Sequence, residues 1–353
     1  MFVNRIINFT PKNIIVRMPN WVGDLVLATP ILLDLRKKFP ESSITAMCLT
    51  HLAPLLEYED SINELFAFST STNLLHRIME RNLIEKLRIG KYDLGVLATN
   101  SFSSAWRFWQ GKVGSIIGFK RDCRSLFLDY PVPFKQNYKK QHLVLTYKAI
   151  LEPLGIPIST TPPRLVVTEK EMEEAWKFLK RYNLSEKDVI IGINPGAAFG
   201  SAKCWLPERF REVAKRLVEA DPKHVVLFFG DLSQKRLTQD ICLNLPARVI
   251  NLAGKTTIRE LMALLKICRA FLTNDSGPMH IADSLHTPLV ALFGSTDKIV
   301  TAPYVQRDQV ICKPVACSPC LKRVCPIDFP CMKKIEVDEV FDKMMRLIQG
   351  CHV

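Results

Sequence analysis

The sequence predicts two doubly wound α/β domains, and three observations support that prediction. Short apolar runs alternate in the second half with segments whose apolar residues recur at helical spacing, which is typical of a parallel sheet covered by helices on both faces. The first half repeats this alternation less regularly. Residues 151–163 contain four prolines and form the predicted linker. We therefore expect Rossmann-like domains at 1–160 and 161–335, followed by a C-terminal helix within 336–353.

The predicted elements alternate along the chain. In the first half we expect strands at 13–18, 43–49, 92–98 and 115–119, and one helix at 24–38. In the second half we expect strands at 188–194, 224–229, 248–252, 270–273 and 288–293, and helices at 207–220, from about 233, at 258–267, 278–285 and 337–348. Glycine, asparagine or aspartate follows the second-half strands, and ligands of such sheets bind outside the carboxyl ends of the strands. This pattern predicts one crevice at that edge.

Length, charge and hydropathy limit the class of protein. The 353 residues are enough for two domains, each with its own core. No apolar run reaches the roughly 20 residues that span a bilayer, and the first ten residues do not resemble a signal peptide. We therefore expect a cytoplasmic protein whose eleven cysteines are mostly free thiols. The net charge of +13 predicts an acidic partner, which could be nucleic acid, an anionic membrane surface or a phosphorylated substrate.

The turn before the predicted helix at 278–285 is a candidate anion site. An apolar run ends in Asn274-Asp275-Ser276-Gly277, and Pro278 suits a first helical turn because it lacks an N–H group. Free amides and the positive end of the helix dipole would then point at one place, where a phosphate or diphosphate binds well. The competing interpretation is an Asx-type turn with an ordinary helix cap.

A second candidate lies in the loop at 194–205. Its glycines and small residues allow a ligand to approach the backbone, and Lys203 can place a positive charge on a phosphate. In isolation, a solvent-exposed lysine would be the expected role. Because this loop and Asp275 follow strands of the same predicted sheet, we expect the two to form a diphosphate clamp.

The first predicted strand is followed by a turn that ends at Asp24. A dinucleotide-binding protein would have G-x-G-x-x-G here, but this turn has a single glycine, Gly23, which disfavours a nicotinamide dehydrogenase. Asp24 is predicted to lie at the start of a helix. It is either an N-cap or a carboxylate general base.

Five motifs in order resemble glycosyltransferase family 9, the ADP-heptose:lipopolysaccharide heptosyltransferases, and in particular its heptosyltransferase II group. The resemblance covers nearly the whole chain. The motifs are Pro19-Asn-Trp-Val-Gly-Asp24, Asn194-Pro-Gly-Ala with Ala202-Lys203 and Trp205, Asn251-Leu-Ala-Gly-Lys-Thr256, Asn274-Asp-Ser-Gly-Pro-Met-His280 and Leu292-Phe-Gly-Ser-Thr296.

The resemblance implies a GT-B fold, with the acceptor in the first domain and the nucleotide sugar in the second, across a cleft. It makes Asp24 the general base and Lys203 the phosphate-binding lysine, and it assigns Asp275 to the sugar hydroxyls. The other implied donor-binding residues are Asn194, Gly196, Gly254, Lys255, Thr256, Ser276, Gly277, Pro278, Met279 and His280. The implied donor is ADP-heptose, and the acceptor is the lipid A–Kdo/heptose core at the cytoplasmic face of the inner membrane.

The expected reaction is a single inverting displacement. Asp24 would take the proton of the acceptor hydroxyl, while Lys203 and the helix start at Gly277 would stabilise the departing ADP. No Asp-x-Asp pair occurs in the sequence, so we expect neither a metal nor another cofactor. Cys204 stands where the family usually has arginine, and Gly230-Asp231-Leu-Ser-Gln234 lacks the acidic residue that the family commonly has a few positions after this glycine, near the ribose. Another nucleotide-sugar donor is therefore an alternative.

Basic residues of the first half could meet an acidic, membrane-anchored acceptor. The candidates are Lys120, Arg121 and Arg124, which lie near Phe119 and Phe127 in the sequence. Each near-surface cation would contribute about 1 kcal/mol to membrane binding.

Five cysteines cluster near the end of the chain, interleaved with prolines: Cys312, Cys317, Cys320, Cys325 and Cys331. Only Cys317 and Cys320 form a C-x-x-C unit, and the other spacings differ from a zinc ribbon. Free thiols in a proline-rigidified loop are the leading interpretation. A zinc or iron–sulfur site is the alternative.

Two other functions compete with glycosyl transfer. A nucleotide-sugar epimerase on the same fold would need no acceptor. A nucleic-acid-binding module would fit the charge, but the sequence has no recognisable binding motif or interleaved aromatic residues, so no nucleic-acid partner is expected. The sequence makes no prediction of the oligomeric state.

Overall fold

The computed structural model describes residues 7–70 and 76–350, except for the side chains of His76, Arg77 and Lys139. The chain divides into two compact units, Met1–Leu165 and Val166–Val353. Within the described residues, no helix has the length and apolarity needed to cross a bilayer.

The first unit contains a six-stranded parallel sheet. Its strands are β1 Asn13–Arg17, β2 Ser43–Leu49, β3 Glu64–Phe68, β4 Leu94–Leu97, β5 Ser115–Phe119 and β6 Tyr130–Val132. Its α-helices are α1 Val22–Ala28, α2 Pro30–Lys38, α3 His76–Ile89, α4 Phe102–Gln110 and α5 Leu143–Lys148. The strand order is β3-β2-β1-β4-β5-β6.

The second unit contains another six-stranded parallel sheet. Its strands are β7 Val189–Asn194, β8 His224–Phe228, β9 Val249–Asn251, β10 Ala270–Asn274, β11 Leu289–Phe293 and β12 Val310–Cys312. Its α-helices are α6 Glu169–Lys180, α7 Pro207–Ala220, α8 Lys235–Cys242, α9 Ile258–Ile267, α10 Gly277–Ser284, α11 Lys298–Thr301, α12 Pro330–Lys333 and α13 Val337–Gln349. The strand order is β12-β11-β10-β7-β8-β9.

The two sheets have the same topology. Counted within each unit, the order is 3-2-1-4-5-6, the doubly wound arrangement. The chain order reverses between the first and fourth strands, so the ligand-binding switch points are at β1/β4 and at β7/β10. The predicted fold class, two doubly wound parallel sheets, is confirmed.

The helix predicted at 24–38 is two helices. Helix α1 ends at Ala28, and helix α2 begins at Pro30, with Thr29 between them. Proline has no N–H to donate to the preceding turn, and its ring clashes with the carbonyl four residues earlier. The prediction of one continuous helix was therefore wrong at this point.

The proline-rich segment lies in the first unit and packs against it. Leu151 and Leu154 are buried, and the hydroxyls of Ser159 and Thr161 donate to Asp34 at 2.8 and 3.0 Å. Lys148 donates to the Ser159 hydroxyl at 2.6 Å and lies 3.8 Å from Asp34. These buried polar groups satisfy one another, so the segment is fixed to the unit that precedes it.

The last helix is part of the core of the second unit. Val340, Met344 and Leu347 of α13 pack in one buried cluster with Phe210 of α7 and with the strands β7, β8, β10 and β11. Met332 of α12 belongs to the same cluster. The C-terminal helix and the cysteine-rich segment before it are therefore tied to the sheet that holds the candidate site.

Candidate functional site

One buried asparagine holds together two loops at the β7/β10 switch point. Asn274, the last residue of β10, is fully buried. Its Nδ2 donates to the carbonyl of Pro195 at 2.8 Å, and its Oδ1 accepts the backbone N–H of Trp205 at 3.0 Å. Both ends of the loop 195–204 are therefore fixed to the strand that leads into α10.

Asp275 forms a buried ion pair with Lys203. The Lys203 ammonium lies 2.6 Å from Asp275 Oδ2, and the two side chains are 13% and 3% exposed. The same oxygen accepts the hydroxyl of Thr296 at 2.6 Å and that of Thr301 at 3.4 Å. A buried carboxylate needs such partners to remain charged. The structure thus brings together the two side chains that the sequence placed at one sheet edge.

Helix α10 begins directly after this aspartate. Gly277 is its first residue and Pro278 its second, one residue earlier than predicted. Ser276 occupies the N-cap but makes no capping hydrogen bond with its side chain, so an ordinary side-chain cap is not what this turn contains. The Ser276 hydroxyl instead contacts Thr273 Oγ1 at 3.0 Å and Asn194 Nδ2 at 3.4 Å.

The predicted residues at the start of α10 differ in exposure. Gly277 and Pro278 are partly exposed, whereas the Met279 and His280 side chains are 0% and 5% exposed. The Met279 N–H donates to the Ser276 carbonyl at 3.2 Å. Gly277, which has no side chain, is therefore the residue through which a backbone N–H at this helix start can reach an anion.

Two glycines in the loop 195–204 make close contacts. A side chain on Gly196 would overlap the Gln234 side chain at 2.1 Å, and Asn194 Nδ2 donates to the Gly196 carbonyl at 2.9 Å. Gly200 has a φ of +150°, and a Cβ there would lie 2.3 Å from the Arg323 carbonyl oxygen. Gly200 therefore requires glycine for steric and backbone reasons, whereas a larger residue at Gly196 would displace the Gln234 side chain.

The cysteine-rich segment supports this loop. The Arg323 carbonyl accepts the Ala202 N–H at 3.0 Å, and the Leu321 N–H donates to the Ser295 carbonyl at 2.7 Å. Ser318 Oγ donates to the Gly294 carbonyl at 2.6 Å. The segment therefore contacts the loops that follow both β7 and β11.

The cysteines of this segment are free thiols. Burial raises the pKa of Cys331, and the neighbouring Cys317 and Cys325 raise it further. Within residues 7–70 and 76–350, no group of three or more His, Cys, Asp or Glu side chains is arranged to hold a metal ion.

Phe199 lies between two cations. Its ring centroid is 5.0 Å from Lys203 Nζ and 5.3 Å from Arg323 Cζ, distances typical of cation–π contacts. Cys204, next to Lys203, is partly buried, and burial raises the pKa of its thiol. Arg323 thus places a second positive charge beside the Lys203 loop.

Gly254, Lys255 and Thr256 follow β9, three strands along the sheet from β10. Gly254 has a φ of +71°, and its N–H donates to the Gly230 carbonyl at 2.9 Å. Lys255 is exposed, with Nζ 6.0 Å from the Tyr182 ring. These residues form a separate part of the carboxyl edge.

In the first unit, Asp24 is the third residue of α1. Trp21 occupies the N-cap, so the interpretation of Asp24 as an N-cap was wrong. Asp24 is half-buried, and α1 packs against α5. Burial raises the pKa of Tyr147 of α5 well above its usual range, and the negative charge of Asp24 raises it further. The Asp24 carboxylate thus lies near a protonated phenol at the β1/β4 switch point.

Arg17 holds the loop that leads to Asp24. It ends β1, is almost fully buried, and donates to the Met18 carbonyl and to Asn20 Oδ1. Its guanidinium also lies 4.6 Å from the Phe68 ring centroid. Burial lowers the pKa of Arg17 to about 10, with a further contribution from Arg107.

The three basic residues predicted to meet an acceptor do not share one environment. Lys120 and Arg121 are exposed. Arg124 is fully buried, and its guanidinium donates to the carbonyls of Phe119 and Thr99. Burial lowers its pKa to about 10. Arg124 therefore belongs to the interior of the first unit and not to its surface.

Sequence reasoning missed several residues that shape the site. Thr296 lies in a turn that the sequence identified after β11, but its hydroxyl contact with Asp275 had no local signal. The same holds for Thr301 and Arg323, which reach the Lys203–Asp275 site through tertiary packing. In the first unit, Arg17 was also missed, although its hydrogen bonds to Met18 and Asn20 are local. Asn274 stood in a recognised motif, but its role as a tie between loops is visible only in three dimensions.

Comparisons with known proteins identify the family and the fold. Two curated relatives are a lipooligosaccharide heptosyltransferase 2 from Haemophilus ducreyi, 30% identical over 83% of this chain and 86% of its own length, and a lipopolysaccharide heptosyltransferase 2 from Escherichia coli, 30% identical over 84% and 87%. The solved structure of E. coli ADP-heptose lps heptosyltransferase II is 26% identical, with a TM-score of 0.81 over 96% of this chain and 99% of that one. The family model described as glycosyltransferase family 9 (heptosyltransferase) matches residues 80–329. The chain is thus a GT-B glycosyltransferase that belongs to glycosyltransferase family 9.

Proposed function

We propose that this protein transfers heptose from ADP-L-glycero-D-manno-heptose to the inner core of lipopolysaccharide, with inversion at the anomeric carbon and without a metal ion. The observation that carries the proposal is the buried Lys203–Asp275 pair at the open start of α10. The names of the curated relatives, which are heptosyltransferases acting on lipopolysaccharide or lipooligosaccharide, support the choice of sugar and acceptor.

The donor is held by the second unit. The diphosphate binds the backbone at Ser276 and Gly277, where the helix dipole favours negative charge, and it draws the Lys203 ammonium away from Asp275. The released Asp275 carboxylate then accepts hydrogen bonds from hydroxyls of the sugar. Asn194 and Gly196 line the phosphates, and residues 254–256 receive the adenosine.

The acceptor is held by the first unit, where Asp24 acts as the general base. Its carboxylate takes the proton of the acceptor hydroxyl while that oxygen attacks the anomeric carbon of the donor. The bond from that carbon to the ADP oxygen breaks in the same step, which inverts the configuration. Lys203 and the α10 amides stabilise the negative charge that develops on ADP.

The leaving group needs positive charge, and protein groups can supply it here. Lys203 and the start of α10 provide a cation and a dipole where other glycosyltransferases use a metal bridge. We therefore expect turnover to be unchanged after exchange into buffer with EDTA. Activity that depends on added Mg²⁺ or Mn²⁺ would contradict this part of the proposal.

The test of the function is a donor screen with purified core oligosaccharide. We expect ADP-heptose to yield one product, heavier than the acceptor by one heptose residue and with an inverted anomeric centre. UDP- and GDP-sugars should give no product. Incubation of the enzyme with ADP-heptose alone should give no new isomer, which separates transfer from epimerisation.

A second candidate is the same transfer with another nucleotide sugar, favoured by two positions. Cys204 lacks the charge of the arginine usual in the family. The family's acidic residue near the ribose is missing after Gly230, and Asp231, the acidic residue present there, is engaged as an N-cap, with Oδ1 2.8 Å from the Ser233 nitrogen. The donor screen distinguishes this candidate directly, because a different donor would then give the larger product yield. In either case the acceptor lies at the membrane, so we propose that the enzyme works at the cytoplasmic face of the inner membrane.

A further inference from the structure

Helix α4 of the first unit is apolar on two faces, of which the core uses one. Ser104, Ala105 and Phe108 face the interior and are buried. Phe102, Trp106 and Trp109 recur at spacings of four and three residues and lie on the other face, 47%, 37% and 52% exposed. Large aromatic side chains on the outside of a helix leave a surface that the fold itself does not cover.

A neighbouring turn extends this surface. The 3₁₀ helix Arg124–Phe127 places Phe127 5.2 Å from Phe102, 5.5 Å from Trp106 and 5.6 Å from Trp109, measured between ring centroids. Leu126, on the same turn, is 89% exposed. We call this group, Phe102, Trp106, Trp109, Leu126 and Phe127, the aromatic surface.

The charges around the aromatic surface are mostly positive. Residues 102–127 contain five arginines and lysines but one acidic residue, Asp122. Arg107 is paired with Glu80, and Arg124 is buried, whereas Lys112, Lys120 and Arg121 are exposed. The Lys112 backbone N–H donates to the Trp109 carbonyl at 3.0 Å, so Lys112 lies directly after the end of α4, whereas the Arg121 guanidinium lies 4.4 Å from the Phe134 ring centroid.

We propose that the aromatic surface docks onto the headgroup region of an anionic phospholipid bilayer. Indole rings partition into the boundary between headgroups and acyl chains, and an exposed leucine adds apolar area there. Lysine and arginine at the rim attract anionic headgroups. A second copy of this chain is a poorer occupant, since its own cations would face these across a symmetric interface.

This docking serves the proposed function, on which it rests for its biological setting, because it would hold the acceptor-binding unit at a lipid-anchored acceptor. The surface differs from the acceptor site proposed at Asp24. Docking through the aromatic surface therefore predicts that the protein binds vesicles that contain neither donor nor acceptor.

The experiment measures co-sedimentation of the full-length protein with vesicles of phosphatidylglycerol and phosphatidylcholine, compared with pure phosphatidylcholine. We expect binding to the anionic vesicles that weakens with added salt. Replacing Trp106 and Trp109 together with alanine should lower the partition coefficient about tenfold or more, since each removes a large apolar side chain from the interface.

A matched pair of variants controls for charge and folding. Leu126→Asp and Leu243→Asp make the same substitution at exposed leucines, the second in the other unit, where Leu243 is 62% exposed. We expect Leu126→Asp to lower vesicle binding severalfold and Leu243→Asp to leave it near that of the unaltered protein. Quenching of tryptophan fluorescence by brominated lipid should fall in the double tryptophan variant.

Several results would overturn the proposal. These are no binding of the unaltered protein to anionic vesicles, equal binding by the two aspartate variants, or a change in molar mass on losing Trp106 and Trp109 without a change in vesicle binding. The last result would assign the surface to self-association. Transfer to soluble core oligosaccharide without vesicle binding would refute the docking alone, and vesicle binding without transfer would refute the proposed function alone.

Discussion

Helices α4 and α10 occupy equivalent positions in two units of the same topology, yet they differ in what they expose. Each follows the fourth strand of its sheet and leads to the fifth. In α10 every side chain from Met279 to Ser284 is buried. In α4 three aromatic side chains face outward. Helices at equivalent positions of one topology can therefore serve different purposes. A helix with buried side chains packs behind a ligand site, and a helix with exposed aromatic side chains presents a surface to a partner.

The first strands of the two sheets show a related difference. After β7, amide side chains fix the loop: Asn194 contacts Gly196 and Ser276, and Asn274 contacts Pro195 and Trp205. After β1, a buried guanidinium does this work, since Arg17 donates to Met18 and Asn20. The second unit presents a cation and a helix start, which suits a diphosphate. The first presents a carboxylate, which suits a hydroxyl that must lose a proton.

The largest expected effect removes the base from the first unit. Asp24→Asn keeps the size of the side chain but not its proton affinity, so turnover should fall by about 10²–10⁴, the usual contribution of a positioned base. Donor affinity, which we assign to the second unit, should persist. Steady-state kinetics and calorimetric titration with ADP-heptose test both parts. Glu41→Gln, an exposed carboxylate of the same unit, is the control, and normal turnover in Asp24→Asn would move the proton acceptor elsewhere.

The next change removes the cation from the second unit. Lys203→Ala should raise the activation free energy of transfer by about 2.7–4 kcal/mol, the usual cost of losing one group that stabilises the transition state. It should also weaken donor binding. It leaves Asp275 buried with only hydroxyl donors, so a modest loss of thermal stability should accompany it.

The control for Lys203→Ala is Lys187→Ala, which removes an exposed lysine of the same unit. We expect that variant to have unaltered kinetics. If the two variants behave alike, Lys203 is not part of the donor site, and the assignment of donor to the second unit loses its main support.

Most of the strands follow from local sequence pattern, and the strands that were missed lie at sheet edges, whereas the helices α3, α4, α5 and α6 were also not predicted. The central strands are largely apolar and stand out in the sequence, as in Leu289–Phe293 and in Val189–Asn194, whose only polar residue is the final asparagine. The strands β3, β6 and β12 were not predicted, and each is an edge strand with positions that are exposed or only partly buried. Edge strands need no continuous apolar run, and β6 even contains Pro131, which central strands exclude.

The candidate site divides in the same way. The sequence identified residues that stand next to a turn after a strand, such as Asp275 and the lysine of the loop after β7. It missed Thr296 and Arg323, whose contacts join segments far apart in the chain. It also misjudged Arg124, because a basic residue near a surface turn reads as exposed until its buried carbonyl partners are known.

A smaller effect is expected when a glycine of positive φ is replaced by alanine, and we compare this substitution in the second unit with the same substitution in the first. Gly200→Ala would force a Cβ against the Arg323 carbonyl at an unfavourable φ and should cost about 1–3 kcal/mol. Gly155→Ala is the comparison, since Gly155 has a φ of +65° but no atom within 4 Å of a Cβ. We expect Gly200→Ala to lower the Tm more and to weaken donor binding as well. If the two variants had equal shifts in Tm and unchanged donor affinity, the contact between the cysteine-rich segment and the loop 195–204 would not contribute to donor binding.

The smallest expected effect concerns Arg323, the second cation beside the Lys203 loop of the second unit. Arg323→Ala removes one partner of Phe199, worth about 0.5–1 kcal/mol at an exposed site, but keeps the backbone carbonyl that holds Ala202. Donor affinity should fall two- to fivefold by this estimate, with turnover at saturating donor nearly unchanged, because the charge lies beside the phosphate loop and not on the leaving oxygen. Calorimetric titration with ADP against Lys322→Ala, its exposed neighbour, measures the difference. Were Arg323→Ala to lower turnover as far as Lys203→Ala does, the cysteine-rich segment would supply a catalytic cation, and the donor unit would act through two charges where we assign one.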